Sequence, residues 1–550
     1  MKEITRRQLL AMTGAAGAGV ALSGCTGGGN ENTTTTAGGG QGGTTQSGST
    51  QATTQPPATM QVTIAPATGP TTLDPQNHRE TTTATILIHF YDGLVFRNQQ
   101  EEIKPQLATS WENVDPTTWT FQLREGVEFS NGEPFDAETV NYNLMRVSGQ
   151  LDGAKQVPVQ DNFASIDTVD VKDSHTVQVN LKNPDPLFLE HQAGLRYVPK
   201  KFTEDNGFDA LNDNPVGTGP YILDEWVRDD HLTQKANPGY WGGAPTIGTI
   251  NWKPMPQPTS RLANLLSGQV DLIRSVNPRS VKRVNDNQGT SVKTVRSARA
   301  AALWLNLEQT MVGRDGPLFY GKPKLRQAIN YAIDVDSILE NVLDGYGFRS
   351  HGWAPSEEFV GYNSNITPYP YDPEKAKQLM AEAGYEDGFS AKLLVPNGRY
   401  FKGVASSEAI ATMLGKVGID LQLNTVEFGQ FAKLTQEHKM PEFMFAAWGN
   451  STFNALDAYV PLVQSDSIFS LLPNKGKQDW VKSVDQKIAE AQNTADRAKL
   501  DSILQDLEAT MHEQSTFVFL FQYKDLYGVS DSIDWQPRSD ELMYMYNGSQ

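Results

Sequence analysis

Residues 443–451 join an apolar stretch to a tryptophan, a glycine and small polar side chains. A bound solute exchanges its water for aromatic faces and fixed hydrogen-bonding groups, because an unpaired buried polar group costs about 1 to 3 kcal/mol. A strand that ends in Trp448, Gly449 and Asn450 has the composition of a loop that faces such a solute. We therefore predict Trp448 as the leading ligand-contacting residue, with ordinary core packing as the alternative.

Arg399 and Tyr400 follow Gly398 in a turn after the strand-like residues 392–395. A guanidinium group donates two parallel hydrogen bonds to a carboxylate, so Arg399 is a candidate clamp for an anionic end of a solute. Tyr400 beside it is a further candidate contact. An interdomain salt bridge or an exposed loop is the alternative interpretation of Arg399.

Trp304 and Asn306 alternate with Leu303, Leu305 and Leu307. Successive side chains of a strand point to opposite faces, so Trp304 and Asn306 are expected on the face away from the leucines. They are secondary candidates for solute contact. Core packing is the competing explanation for the tryptophan.

Enzyme motifs are missing from this sequence. It contains no HExxH, GxSxG or GxxxxGK[ST] segment. His78 and His89 are the closest histidines and form no local ligand pattern, while Asp229 and Asp230 are expected to be solvated charge. Residues 217–221, GTGPY, lack a phosphate-loop lysine and are predicted to form a structural turn. We expect no catalysis, no cofactor and no metal site, with a secreted hydrolase as the remote alternative.

The N-terminus carries two export signals. Arg6 and Arg7 precede a small-residue apolar run, residues 9–22, that is too short to span a bilayer comfortably, and the pair resembles a twin-arginine signal. Residues 22–25, LSGC, resemble a lipobox, in which Cys25 becomes the lipidated N-terminus. We predict twin-arginine export and a lipid anchor at the extracytoplasmic face of the membrane, with a chance cysteine in an uncleaved anchor as the alternative.

Residues 26–59 consist almost entirely of Gly, Thr, Ser, Gln, Ala and Asn, with Glu31 as the one charge. Such a segment has no apolar side chains to offset the entropy of ordering, so we predict a disordered linker. About 34 residues of random coil reach roughly 30 to 35 Å on average. The linker therefore lets a globular body stand away from the membrane.

The composition indicates a soluble body of more than one domain. A chain of 550 residues exceeds the size that one core supports, and a mean hydropathy of -0.46 excludes an integral membrane bundle. The 46 Lys and Arg against 64 Asp and Glu leave a net charge of -18, which repels nucleic acid. That acidic balance is also typical of halophilic archaea. A single cysteine excludes an internal disulfide.

Beyond Met60, short β-branched or aromatic runs alternate with longer helical patterns, which predicts an α/β fold with mixed sheets. A period of two predicts strands at residues 119–123 and 175–181, and short apolar or β-branched runs predict strands at residues 61–64 and 517–521. Apolar stripes with start or stop signals predict helices that begin at Pro323, lie between Asp372 and Gly384, and cover residues 500–511.

Short segments carry a family resemblance over almost all of the chain beyond Met60. Residues 121–140 read FQLREGVEFSNGEPFDAETV, residues 215–221 PVGTGPY, residues 237–241 NPGYW, residues 325–334 LRQAINYAID and residues 397–400 NGRY. In this order they resemble the extracytoplasmic solute-binding proteins of family 5, the dipeptide, oligopeptide, nickel and glutathione-type receptors of ATP-driven importers.

The resemblance implies a two-lobed periplasmic-binding-protein-like fold of type II, cluster C, with an extra inserted α/β domain. Lobe I is expected at residues 60–93, 216–302 and 516–550. The inserted domain is expected at 94–215, and lobe II at 303–515. The implied protein is a non-catalytic, membrane-tethered monomer that captures a short peptide or peptide-like solute and delivers it to permease subunits with cytoplasmic ATPases.

In the family's peptide receptors, a tryptophan placed like Trp448 is followed three residues later by an aspartate that holds the peptide's ammonium group. Ser451 occupies that position here. Asn454 and Asp457 lie nearby, and Asp457 is the candidate substitute, with a helix N-cap as its alternative role. The missing carboxylate favours a second hypothesis, a non-peptide cargo such as a nickel chelate, a sugar or another small organic solute.

Overall fold

The computed structural model describes residues 60–308, 318–467, 469–473 and 478–546. All of them belong to one compact unit, Gln55–Gln550. The predicted export signal with Arg6, Arg7 and Cys25, and the predicted linker at 26–59, lie outside the described residues. Within those ranges, no helix combines the length and the apolar character needed to cross a membrane.

The strands form a large mixed sheet of eleven strands, a four-stranded sheet and a two-stranded sheet. They are β1 (Met60–Ala65), β2 (Val95–Arg97), β3 (Ile103–Pro105), β4 (Ala108–Asp115), β5 (Thr118–Leu123), β6 (Ile166–Asp173), β7 (Thr176–Leu181), β8 (Tyr221–Val227), β9 (His231–Ala236), β10 (Ile247–Trp252), β11 (Leu272–Arg274), β12 (Thr290–Leu305), β13 (Gly347–Arg349), β14 (Phe389–Asn397), β15 (Ile419–Glu427), β16 (Phe443–Gly449) and β17 (Phe517–Ser530).

The large sheet has the order β15-β14-β16-β12-β17-β11-β1-β10-β9-β8, and β13 pairs with β17. The order of the four-stranded sheet is β4-β5-β7-β6, and β2 pairs with β3. Parallel pairs such as β14 with β15 stand beside antiparallel pairs such as β12 with β16. The α/β fold with mixed sheets predicted from the sequence is confirmed.

The helices connect and cover these strands. They are α1 (Thr81–Leu87), α2 (Ala137–Val147), α3 (Phe188–Gly194), α4 (Lys200–Asn206), α5 (Pro258–Leu266), α6 (Val281–Asn285), α7 (Pro323–Ala332), α8 (Val335–Asn341), α9 (Pro373–Glu382), α10 (Gly403–Gly415), α11 (Phe428–Gln436), α12 (Leu456–Leu462), α13 (Asp479–Gln492) and α14 (Arg497–Gln514).

The predicted helix signals act as expected. Pro323 is the first residue of α7, where its missing N–H has no intrahelical partner to lose. The carboxylate of Asp372 accepts a hydrogen bond from the backbone N–H of Lys375 at 2.8 Å and so caps α9. Gly384 follows that helix with a φ of 79°, a conformation that glycine adopts without steric cost. These helices are confirmed.

Two long strands, β12 and β17, connect two separate apolar cores. Phe517 and Phe521 at the start of β17 pack with the core that is formed mostly by residues 298–523. Tyr527 and Val529 near its end pack with a second core, which includes Val62. The chain therefore passes from one core to the other inside β17.

The predicted lobe boundaries lie near these crossings. The boundary at 302/303 falls within β12, and the boundary at 515/516 falls before β17 begins. A third core lies within residues 94–216 and packs the four-stranded sheet against α2 and α3. The strands β12 and β17 run without a break between the two cores. Their composition therefore does not change at a point where a sequence pattern could mark a boundary.

Candidate functional site

A cavity of about 200 Å³ lies between α3, the loop after β16 and the C-terminal segment. Its lining combines charged and apolar side chains from all three parts of the chain. The lining includes Arg97, Glu190, His191, Ser451, Thr452, Asp457 and Asp540. A wall of this kind suits a solute that carries both polar and apolar groups.

Asn450 shapes the loop that carries Ser451 to the cavity. Its side-chain oxygen accepts hydrogen bonds from the backbone N–H and the hydroxyl of Thr452, at 3.2 and 2.7 Å, and its amide donates to the carbonyl of Asn454 at 2.8 Å. Asn454 is buried and accepts from the N–H of Leu456 at 3.1 Å. These two amides satisfy backbone groups of the turn, and Ser451 is left exposed.

Asp457 lies in the first turn of α12, whose N-cap residue is Ala455. No side chain caps this helix, so the N-cap role considered for Asp457 is not what the structure shows. The side chain of Asp457 is 31% exposed, and its Oδ1 lies 3.9 Å from Nε2 of His191 on α3. Its carboxylate is therefore accessible from the cavity.

Acidic side chains lie close to His191, which itself lines the cavity. Burial lowers the pKa of His191, but Asp457, Asp185 and Glu190 raise it, and the net effect is a pKa above the usual value. Burial has the opposite effect on a carboxyl group and raises the pKa of Glu190, whose carboxylate is 3.4 Å from the exposed Arg497. This wall favours a positive charge.

Trp448 is half-buried near the end of β16, opposite Ala300 of β12. Its ring centroid lies 6.3 Å from that of Phe469. Its indole N–H has no hydrogen-bond partner within the described ranges. The indole therefore offers a partly exposed aromatic face, although Trp448 does not line the 200 Å³ cavity.

Arg399 forms no ion pair with any described residue; its guanidinium lies 5.9 Å from the ring of Tyr400 and 5.0 Å from that of Phe428. The interdomain salt bridge considered for it is therefore absent from the part of the chain that the structure describes. Burial lowers the pKa of Arg399, and the positive charges of Arg299 and Arg274 lower it further. Such a cation gains from a nearby carboxylate.

Glu541 neutralises the two neighbouring arginines. Its carboxylate is 2.8 Å from Nη2 of Arg274 and 3.3 Å from Nε of Arg299. Although burial opposes ionisation, these two cations hold the pKa of Glu541 far below its usual range. Arg399 is thus the cation of this group that is left for an external anion.

The structure does not bring Trp304 or Asn306 to the cavity. Trp304 is 3% exposed, with its ring 5.9 Å from Trp353 and 5.7 Å from Phe517. Asn306 donates to the carbonyl of Met440 at 3.1 Å. Both faces of this part of β12 are buried, so the alternation with leucines did not separate a core side from a solute side.

Sequence reasoning missed Arg97, Glu190 and His191, which reach the cavity from β2 and α3. Arg97 donates to the carbonyl of Thr452 at 3.2 Å and so ties the inserted domain to the loop after β16. These residues stand singly in segments without a motif. Only the packing of the inserted domain places them together.

Metal ligation has no support in the described ranges, where no group of three or more His, Cys, Asp or Glu side chains is arranged to hold an ion.

Comparisons with known proteins agree with this architecture. The glutathione-binding protein GsiB of Shigella flexneri serotype 5b is 28% identical over 460 residues, which cover 82% of this chain and 86% of the relative. The periplasmic binding protein DppA of Helicobacter pylori, solved with the peptide STSA, has a TM-score of 0.73 at 23% identity and covers 88% of this chain and 98% of its own.

NikA of Brucella suis, solved with Fe(III)-EDTA, has a TM-score of 0.75 at 22% identity, with 88% of this chain and 98% of that chain covered. These likenesses show the two-lobed periplasmic binding fold. Residues 102–470 match the family model described as bacterial extracellular solute-binding proteins, family 5 Middle. The chain belongs to the family 5 bacterial extracellular solute-binding proteins.

Proposed function

We propose that this protein is the solute receptor of an ABC importer and that it captures a short peptide or peptide-like molecule. The observation that carries this proposal is the cavity between the inserted domain, lobe II and the C-terminal segment, in which Asp457 presents an accessible carboxylate. A carboxylate in a partly desolvated wall binds an ammonium group well. Asp457 thereby supplies the negative charge for the ammonium group that Ser451 lacks.

Candidate residues outside the lining of this cavity suit the other parts of a peptide. Arg399 supplies a guanidinium without a partner among the described residues, for a carboxylate. Trp448 supplies a half-buried aromatic face, and Tyr400 and Ser451, the latter within the lining, are further candidate polar contacts. Glutathione, the solute in the name of the relative GsiB, is a small peptide with this general chemistry. This supports small peptides as the first candidates to test.

A non-peptide cargo is the second candidate. The serine at position 451 and the free guanidinium of Arg399 together favour a solute that is richer in carboxylates than in amines. The solved NikA with a metal chelate shows that this fold accommodates such a cargo in another protein. A carboxylate-rich chelate would use Arg399 and would not need Asp457.

Calorimetry on the purified full chain distinguishes these cargoes. We expect dipeptides or glutathione to bind, and Asp457→Asn and Arg399→Ala each to weaken that binding about tenfold or more, as expected for the loss of a charged hydrogen bond. Asp152→Asn and Arg283→Ala, which change exposed residues, are the matched controls. Binding of nickel-histidine or another chelate with no peptide binding would replace the first proposal by the second.

We further propose that the receptor acts as a non-catalytic monomer, in which the lobes and the inserted domain follow the predicted boundaries. We also propose that Arg6 and Arg7 act as a twin-arginine export signal and that a lipid at Cys25 anchors the protein. It then delivers solute to the permease at the extracytoplasmic face of the membrane. Cys25→Ser should release the body or leave an unprocessed precursor, and Arg6→Lys with Arg7→Lys should block export. Membrane retention with normal processing in Cys25→Ser would contradict the anchor.

A further inference from the structure

His191 and Asp457 face each other from the inserted domain and from lobe II. The 3.9 Å between Nε2 and Oδ1 is longer than a hydrogen bond but short enough for strong attraction if the imidazole is charged. The side chain of His191 is 11% exposed, and both of its ring nitrogens lack a partner among the described residues.

Asp457 is the carboxylate of this cavity that remains available to a cation. Asp540 accepts from Nε of Arg538 at 3.0 Å, and Glu190 lies 3.4 Å from Arg497. Within the described part of the chain, no side chain donates a hydrogen bond to the carboxylate of Asp457, and His191 at 3.9 Å is its one ion-pair neighbour.

The charges that face His191 come from every surrounding element. Asp457 on α12, Asp185 before α3 and Glu190 on α3 itself favour the imidazolium, and Phe163 packs edge-on against the ring at 6.1 Å. Arg97 of β2 lines the same cavity, but its guanidinium donates to the carbonyls of Glu101 and Thr452. The carboxylates outweigh burial, so the proton is held more firmly than in a free histidine.

We propose that His191 competes with the cationic group of the solute for the carboxylate of Asp457, so that capture of amine-bearing solutes weakens in acid. This inference rests on the proposed function, because it assigns a specificity-determining role within the same cavity. It also gives the inserted domain a direct part in selecting the solute.

The competition follows from charge. The neutral imidazole leaves the carboxylate to an incoming ammonium group, whereas the imidazolium pairs with the carboxylate and repels a second cation. By linkage, a bound ammonium group must lower the pKa of His191 by the same coupling free energy with which the proton weakens solute binding. The effect is largest below the raised pKa of His191 and disappears as the pH rises through it.

The test compares the dissociation constants of one dipeptide for the wild type and for His191→Gln, by calorimetry from pH 5.5 to pH 8.5. The titration of the dipeptide's own amine affects both constants equally, so it cancels in their ratio. We expect the wild type to bind about tenfold more weakly than His191→Gln at pH 5.5, within the usual range of such couplings, and the ratio to approach one at pH 8.5. An N-acetyl dipeptide, which has no cation, should give a constant ratio.

A second measurement needs no variant. The ring protons of His191, followed by NMR, should titrate at a lower pH when the wild type is saturated with the dipeptide. Asp457→Asn should abolish the pH dependence of the ratio, since it removes the group for which the two cations compete.

A ratio that does not change with pH, or tighter wild-type binding in acid, would overturn the inference while the proposed function stands. A pH dependence that persists in the Asp457→Asn background would overturn it as well. Failure of both proteins to bind any dipeptide at any pH would overturn the proposed peptide cargo, and this inference with it.

Discussion

Trp241 donates a hydrogen bond from its indole N–H to Oδ2 of Asp92 at 2.8 Å, and Asp92 is completely buried. The same carboxylate accepts from the hydroxyl of Thr218 at 3.0 Å and from the amide of Gln106 at 2.7 Å. Thr218 and Trp241 belong to two of the segments that carry the family resemblance, residues 215–221 and 237–241. A single buried acceptor therefore ties these segments to one another. This explains why they determine the fold and give little information about the solute.

Asp92→Asn should destabilise the protein by about 1 to 3 kcal/mol. The amide replaces one acceptor oxygen by a donor, so at least one of the donors from Trp241, Thr218 and Gln106 is left buried without a partner. Urea unfolding measures the loss, and Asp152→Asn on the surface should leave the midpoint unchanged. Equal midpoints for Asp92→Asn and the wild type would show that the network does not stabilise the fold.

Gly217→Ala should destabilise the protein by about 1 to 3 kcal/mol or more, the usual cost of overpacking. A Cβ at this position would lie 2.0 Å from the carbonyl oxygen of Phe90 and 2.6 Å from the ring of Tyr91. Gly415→Ala is the matched control, because a Cβ there meets nothing within 4 Å and the residue is in α10. The control should be neutral or more stable by up to about 1 kcal/mol, as judged by thermal unfolding.

Residues 217–221 show what the sequence reveals and what it leaves out. The composition of that segment predicts a turn correctly, but the reason for Gly217 is a backbone approach to Phe90, more than a hundred residues away in the chain. Helices such as α7 and α9 were predictable because their start and stop signals are local. Contacts that depend on the packing of distant segments have no such local signal.

The candidate site follows the same division. Ser451 belongs to the local pattern of a strand that ends in small polar residues, whereas Asp457 was named because the family resemblance implies a carboxylate near that position; both line the cavity. His191 was not found, since nothing in its own segment distinguishes it from an ordinary surface histidine. Trp304 looked similar to Trp448 in sequence, and only the burial of both faces of β12 separates the two.

Glu508, in α14, should make the stability of the protein depend on pH. It is buried, accepts a hydrogen bond from the hydroxyl of Tyr459, and burial raises its pKa to about 8. The unfolded carboxyl group releases its proton near pH 4.3. The folded state therefore binds the proton more tightly, and stability is present in full below about pH 4.3 and is lost as the pH rises through about 8.

Glu508→Gln removes that titration, so we expect a smaller loss of stability than in the wild type between pH 5 and pH 9. Urea unfolding across this range checks the prediction, and Glu513→Gln, an exposed change on the same helix, should keep the wild-type profile. Parallel profiles for wild type and Glu508→Gln would mean that another group dominates the pH dependence.

Trp448→Ala and Trp304→Ala should separate solute binding from core packing. Trp448 is half-buried with a partly exposed aromatic face, so its removal should cost about 2 to 4 kcal/mol of solute affinity, roughly thirtyfold or more. Trp304 packs against Trp353 and Phe517, so its removal should cost about 3 to 5 kcal/mol of stability.

The two variants act as controls for each other, because both delete the same side chain from neighbouring strands of one sheet. Thermal unfolding without solute and calorimetry with a bound dipeptide, made on both proteins, give four values. A near-native melting temperature with weakened binding for Trp448→Ala, and a lowered melting temperature with unchanged affinity for Trp304→Ala, would establish Trp448 as a wall of the solute site. If Trp448→Ala instead lowers the melting temperature as much as Trp304→Ala and leaves the affinity unchanged, its contact with Phe469 is core packing. The solute would then be held by Asp457 and Arg399 without an aromatic wall at this position.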